Sequence, residues 1–241
     1  MSNPVYCFQN HRFSVDSHEL SLHQNLMTCV IVGRQRPVIV SDNHDWISAQ
    51  FVSVKPGVPH RVTVPDGGAE IVYLDGVQMA AGRSAFTKLP PEWRALPDAF
   101  DAKDHAALSA FRDLLNADNS PPDPDIMKIV HELYADPFTR MSQSDLADAL
   151  GLERTQALRH FKATTGQTFR RFKIWAAIVA ATRSAHQGAQ IGLVGIETGF
   201  ADAAHLARTA SSVFGVTPTA GLSGLAGIVT LPSIPPLPLS E

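Results

Sequence analysis

The chain has 241 residues, 44% of them hydrophobic, and a formal charge of −3, which suits two modest packed domains or one large one. No run of about 18 apolar residues occurs, so no membrane span is expected. Residues 1–10 lack the basic segment and apolar core of a signal peptide. Cys7 and Cys29 are too few for a disulfide scaffold and suit a reducing cytoplasm, though the two could bridge.

The charge is unevenly placed. Residues 1–139 hold eleven Lys/Arg against seventeen Asp/Glu, whereas residues 140–220 hold nine against five. A basic module therefore follows an acidic one, which is a modest electrostatic footprint for phosphate.

In chain order, residues 20–23, 27–32, 38–40, 47–54, 62–64 and 71–74 are β-branched or alternating. Turn clusters at 33–37, 41–43, 56–57 and 65–68 separate them. Short strands at this spacing predict a sandwich or barrel. Residues 77–86 are expected as a short helix. Pro90-Pro91 breaks the chain. From Asp104 to Asn116, Ala107, Leu108, Phe111, Leu114 and Leu115 recur at helical spacing. That amphipathic helix either packs on its own barrel or forms a dimer seam. The polar, proline-rich stretch 118–124 is the expected linker.

The second half opens with a helix over 125–134, whose stripe is Ile126, Ile129, Val130 and Leu133, stopped by Asp136-Pro137. Then one pattern occurs twice. In the first copy Ser142 and Asp145 form a capping box, and Leu146, Ala149 and Leu150 make an apolar face. Ala147 allows close crossing, Gly151 ends the helix, and Leu152 is expected as the buried anchor of the turn. A second helix starts at Glu153 and ends near Gly166. Residues 168–186 read as a long helix that spaces the two copies. In the second copy Gly195, Gly199 and Phe200 take the matching places, and Asp202 is the N-cap of the last helix. Each copy is helix, glycine turn, helix, the helix-turn-helix plan whose second helix can enter a DNA major groove.

The run Thr198-Gly199-Phe200-Ala201-Asp202-Ala203-Ala204-His205-Leu206-Ala207-Arg208, followed by Phe214-Gly215-Val216-Thr217-Pro218, resembles the signature of AraC-type transcriptional regulators. The likeness covers roughly residues 125–222. Residues 52–60 resemble, more weakly, a strand-turn segment of the cupin jelly roll. The fold expected is therefore α+β. A cupin-like sensor and dimerisation barrel spans 1–86, a helical segment and linker 87–122, an all-α double helix-turn-helix domain 123–222, and a mobile tail without strand period 223–241.

The resemblance implies a sequence-specific regulator of double-stranded DNA, not an enzyme, with a small-molecule effector in or near the barrel. It also implies a homodimer through the N-terminal half, room for contact with RNA polymerase, and no cofactor. Arg154, Thr155, Gln156, Leu158 and Arg159 would meet bases from the first recognition helix, and Ala203, Ala204 and Arg208 from the second. Arginine can bond guanine, glutamine adenine, and Leu158 a thymine methyl. Lys162, Arg170, Arg171, Lys173 and His205 are phosphate candidates, and Arg154 could serve there instead. Trp46, His60 and Tyr73 are weak candidates for an effector pocket.

The cupin metal pattern needs two histidines one residue apart. No His-x-His occurs, so His18, His23, His44 and His60 read as surface or hydrogen-bonded groups. A cupin-type enzyme lacks that spacing and any nucleophile-base motif. The chain also departs from the family. Ala177, Ala210 and Ser211 replace an arginine, an aromatic and a basic residue, Ala203 and Ala204 are small, and Glu153 stands where a serine is usual. An adaptor with weakened DNA binding is the alternative those departures keep open.

Overall fold

The computed structural model describes residues 7–137, 139–189 and 202–233. Strands come first: β1 (Gln9–Val15), β2 (His18–Gln24), β3 (Thr28–Gly33), β4 (Val38–Ser41), β5 (Trp46–Ala49), β6 (Phe51–Val54), β7 (Pro59–Val64), β8 (Ala69–Leu74) and β9 (Phe86–Lys88). Helices follow: α1 (Leu96–Asp101), α2 (His105–Leu115), α3 (Pro124–Ala135), α4 (Gln143–Leu150), α5 (Arg154–Thr165), α6 (Phe169–His186), α7 (Ala203–Phe214) and α8 (Pro218–Ser223). A last strand, β10 (Leu225–Pro232), closes the described chain. The class is α+β, as expected.

The strands form two facing sheets rather than one closed barrel, in the orders β10-β1-β8-β3-β6-β9 and β2-β7-β4-β5. Phe13, Cys29, Ile31 and Tyr73 of the larger sheet meet Val38, Val40, Val62 and Val64 of the smaller one. The other face of the larger sheet, with Val30, Val32, Val72 and Leu74, lies under Trp93, Leu96, Phe100 and Leu108. β3 and β8 are buried along their whole length. That is why residues 29–32 and 71–74 read as continuous apolar runs, whereas half-buried β4 alternates. Cys7 and Cys29 form no disulfide among the described residues.

Three expectations are corrected. Residues 77–86 form no helix: Gly76 turns the chain at φ 76°, and the segment ends in β9, which pairs with β6. Lys55 holds the intervening loop by donating from Nζ to the carbonyls of Ala81 and Arg83. The 47–54 run is two strands, broken at Gln50. The tail is the largest difference, because residues 225–232 run antiparallel along β1, from Gln9↔Pro232 to Val15↔Leu225. Leu225 joins the core between the sheets, and Leu231 joins the helix-covered core. Gly227 and Pro232 hide the strand in the sequence. The open edge of β1 supplies the backbone partners that draw it in, a tertiary effect that overrides local propensity.

α6 is buried on several sides, through Phe169, Phe172, Trp175, Ala176, Ile178, Val179 and Ala180. Its 18 residues span about 27 Å at 1.5 Å per residue. It was expected as a spacer, but it is also the mast that joins the helices to the sheets. Asp75, fully buried at the end of β8, makes that joint. Its carboxylate accepts from Trp175 Nε1 on α6 at 2.9 Å and from the Tyr134 hydroxyl on α3 at 2.7 Å. His11 Nε2 lies 3.2 Å away. Arg112 of α2 donates to the Asp75 carbonyl at 2.7 Å.

Candidate nucleic-acid interface

The first helix-turn-helix forms as its residues dictate. Ser142 Oγ accepts from Asp145 N at 3.1 Å while Asp145 Oδ2 accepts from Ser142 N at 2.7 Å. Gly151 ends α4 in the left-handed region, at φ 62°. Leu152 N then donates to Ala147 O at 3.0 Å. The Leu152 side chain, however, is 38% exposed. It is not the anchor of the turn, because the backbone bond to Ala147 already holds that place.

On α5, Ala157 and Phe161 face the core, and Arg154, Thr155, Gln156 and Arg159 are exposed. Leu158 is half-buried and packs against the core, which limits its reach to a thymine methyl. Glu153 caps the helix by accepting from Thr155 N at 2.9 Å, so the missing serine is replaced by a carboxylate. That negative charge suits a helix N-terminus but opposes a phosphate there.

The phosphate candidates divide. Lys162 and Arg170 are exposed and, with Arg154 and Arg159, form no ion pair among the described residues. Arg171 turns toward the sheets. Its guanidinium lies 3.5–3.6 Å from where a Cβ on Gly57 would stand. Lys173 donates to Met141 O at 2.6 Å and sits 5.5 Å from the Phe169 ring centroid. Burial lowers the Lys173 pKa, and Asp145 opposes the shift. Lys173 is thus engaged inside the molecule, and Arg171 lies beside Gly57 rather than at the exposed face of α5.

In the second unit, Asp202 caps α7 by accepting from His205 N at 2.6 Å. Ala203, Ala204, His205 and Arg208 are exposed on α7. Gly195, Gly199 and Phe200 lie outside the described residues. Phe214 is half-buried at the end of α7 and packs against the core.

Both recognition helices are held to the sheets at their C-terminal ends. Gln78 Nε2 donates to Ala163 O at 2.7 Å and to Thr164 O at 3.3 Å, at the end of α5. Ser21 donates to Gly215 O, after α7, from its backbone N at 2.9 Å and from its hydroxyl at 2.7 Å. Their N-terminal turns, which carry the candidate readers, lie away from those anchors. Gln78 and Ser21 were missed in the sequence, since neither sits in a motif and Gln78 fell in a stretch read as helix.

An apolar cavity of about 90 Å³ lies between the sheets and α7. Phe13, Leu20, Ile71 and Tyr73 line it from the strands, Ile178, Ala181 and Thr182 from α6, and Leu206, Ala210 and Phe214 from α7. Of the three pocket candidates only Tyr73 lines it. Trp46 is 65% exposed, because on β5 it stands opposite Ser41 while its neighbour Ile47 pairs with Val40. His60 is fully buried against His23, with ring centroids 4.2 Å apart. Its Nδ1 bonds Val58 O at 2.8 Å, and it does not reach the cavity. Among the described residues no helix is long and apolar enough to cross a membrane.

Residues 146–222 match the family of the helix-turn-helix domain. No curated protein matches the chain. Among solved structures the fold is similar to that of ToxT from Vibrio cholerae. An apo ToxT is 12% identical with a TM-score of 0.60, over 94% of this chain and 100% of that one. A ToxT bound to an unsaturated fatty acid is 12% identical with a TM-score of 0.59, over 94% and 99%. A third, bound to (E)-4-(8-methylnaphthalen-1-yl)but-3-enoic acid, is 12% identical with a TM-score of 0.60, over 91% and 100%. At such identities the likeness is one of fold. Residues 146–222 are thus a helix-turn-helix domain of the kind that DNA-binding transcription regulators carry.

Proposed function

We propose that α5 is the principal base reader, that α7 is a second and weaker one, and that a small molecule in the cavity beneath α7 controls the second. One observation carries the reading: the cavity wall includes the second recognition helix, through Leu206, Ala210 and Phe214. None of α3, α4 or α5 contributes to it. A molecule held there differs in contacts between two placements of α7, which is what a shift of populations requires. The ligands of the ToxT structures support an effector for this chain too. Arg154, Thr155, Gln156 and Arg159 are the residues we assign to base contact, with Lys162 and Arg170 on phosphate. Arg208 is the base contact of the second helix, and Ala203 and Ala204 permit close approach.

Homodimerisation through the N-terminal half belongs to the same reading, supported by α2, on which Leu114 is 63% exposed. So do contact with RNA polymerase and residence in the cytoplasm. The test is selection of bound fragments from genomic DNA by the purified protein at fixed, near-physiological salt. Two enriched blocks about one helical turn, roughly 34 Å, apart are expected. A single block would remove α7 as a reader. No enrichment, with or without added cell metabolites, would sink the reading and favour an adaptor.

A further inference from the structure

The cavity beneath α7 also constrains its ligand, given its reading as the effector site. Among the described residues its wall contains no Lys, Arg, Asp or Glu. The residues outside the described ranges contain no lysine or arginine either. Two ionisable side chains line it, His18 and Tyr73. Burial raises the Tyr73 pKa well above the ordinary phenol value, with Cys29 adding to the shift, so that group stays neutral. His18 is half-exposed on the β2 side.

The polar handles are few. The Thr182 hydroxyl already donates to Ile178 O at 2.8 Å and keeps only acceptor capacity. Thr217 Oγ1 accepts from Ala220 N at 3.4 Å. An anion placed against such a wall loses its hydration without gaining a cation, and the charged form is strongly disfavoured. A neutral body loses little and gains dispersion contacts. The two named ToxT ligands are both carboxylic acids, so this wall asks for something else.

We propose that the cavity takes an uncharged, compact apolar molecule bearing at most one hydroxyl or carbonyl oxygen. Size adds a consequence. An apolar cavity of about 150 Å³ is known to accept benzene, and this one is about 90 Å³. A ring or chain of eight carbons overfills it, and therefore either extends through its open side or moves a wall. α7 is a wall tied to the sheets by Ser21, at Gly215, and by the ring of Phe214 against Phe13.

The test uses the full chain at pH 8 with 1-octanol and octanoate at equal free concentration, the same chain length with and without charge. Melting temperature and tryptophan emission are read. Trp175 reports on the site, its ring centroid being 4.9 Å from that of Tyr73 and 6.1 Å from that of Phe214. Octanol is expected to raise the melting temperature saturably and to alter the emission, with octanoate at least tenfold weaker. Ala181→Leu, which fills the cavity from α6, should abolish the octanol effect. Ala220→Leu fills it from α8 and serves if the first variant does not fold. Octanoate binding as well as octanol would overturn the proposal and leave the cavity as effector site. An octanol effect that survives both fillings, or no binding of either molecule, would overturn the proposal and the effector site together.

Discussion

The two reading heads share one plan and are fastened differently. The first is solid. Phe161 meets Phe169 and Phe172 at centroid distances of 5.3 and 5.6 Å, and Ile126, Leu146 and Ala157 are fully buried beside them. Hydrogen bonds from Gln78 and around Asp75 tie its frame to the sheets. The second rests on a cavity and holds the sheets through Ser21 and the ring of Phe214, which lies 5.7 Å from Phe13. Atoms lining a void lack partners on one side, so the second head has less to lose by moving. The difference teaches that a duplicated motif need not be fastened the same way twice, which is why we propose that one copy reads and the other responds.

The comparison breaks most easily at Asp75. Asp75→Ala leaves the Tyr134 hydroxyl and the Trp175 indole N–H without their acceptor in a buried site. The expected loss is roughly 3–5 kcal/mol in urea unfolding. A loss below about 1 kcal/mol would mean the network does not anchor the first head. Next, Phe161→Ala should cost about 3–5 kcal/mol, because its surroundings are packed. Phe214→Ala, beside a cavity, should cost about 1–2 kcal/mol. Equal losses in chemical denaturation would erase the contrast between solid and hollow.

Acid sharpens the contrast from the second side. Burial, reinforced by neighbouring His60, lowers the His23 pKa to about 4. His23 Nδ1 bonds Ser21 O at 2.8 Å, next to the Gly215 anchor. The unfolded chain binds the proton more readily, near the ordinary value of 6.5. Stability should therefore be full above about 6.5, fall as the pH drops, and level off below about 4, losing up to about 3 kcal/mol. His23→Gln should flatten the profile of urea midpoints between pH 7.5 and 4.5, and an unchanged slope would refute the assignment. The smallest effect is on DNA. Arg159→Ala should weaken binding by about 1–3 kcal/mol and relax one base position. Arg208→Ala should do less, and only on fragments carrying the second block. Uniform loss on all sequences would make Arg159 a phosphate contact.

Much of the helical half was legible. Ser142 with Asp145, Gly151, Gly166, Thr168 and Asp202 stand at helix ends as expected. The strands from β2 to β8 were close, apart from the break at Gln50. What escaped was β1, β10, the loop before β9, and the true environment of Leu152, Arg171 and Lys173. Arg171 looks like any surface arginine until Gly57 is brought beside it. Trp46 and His60 have the chemistry of pocket residues, but strand alternation and packing put one in solvent and the other behind His23.

The sequence by itself determined the helices of the helix-turn-helix half and their caps. Those features close within a few residues, as Ser142 and Asp145 do three apart, so their physics is local. The cavity, the Asp75 joint and the returning strand were decided only by the tertiary structure. His11 Nδ1 lies 3.0 Å from Thr230 Oγ1, a pair 219 residues apart. No short window contains both partners. Their meeting depends on which sheet edge is left open and which helix face is left apolar once everything else has packed.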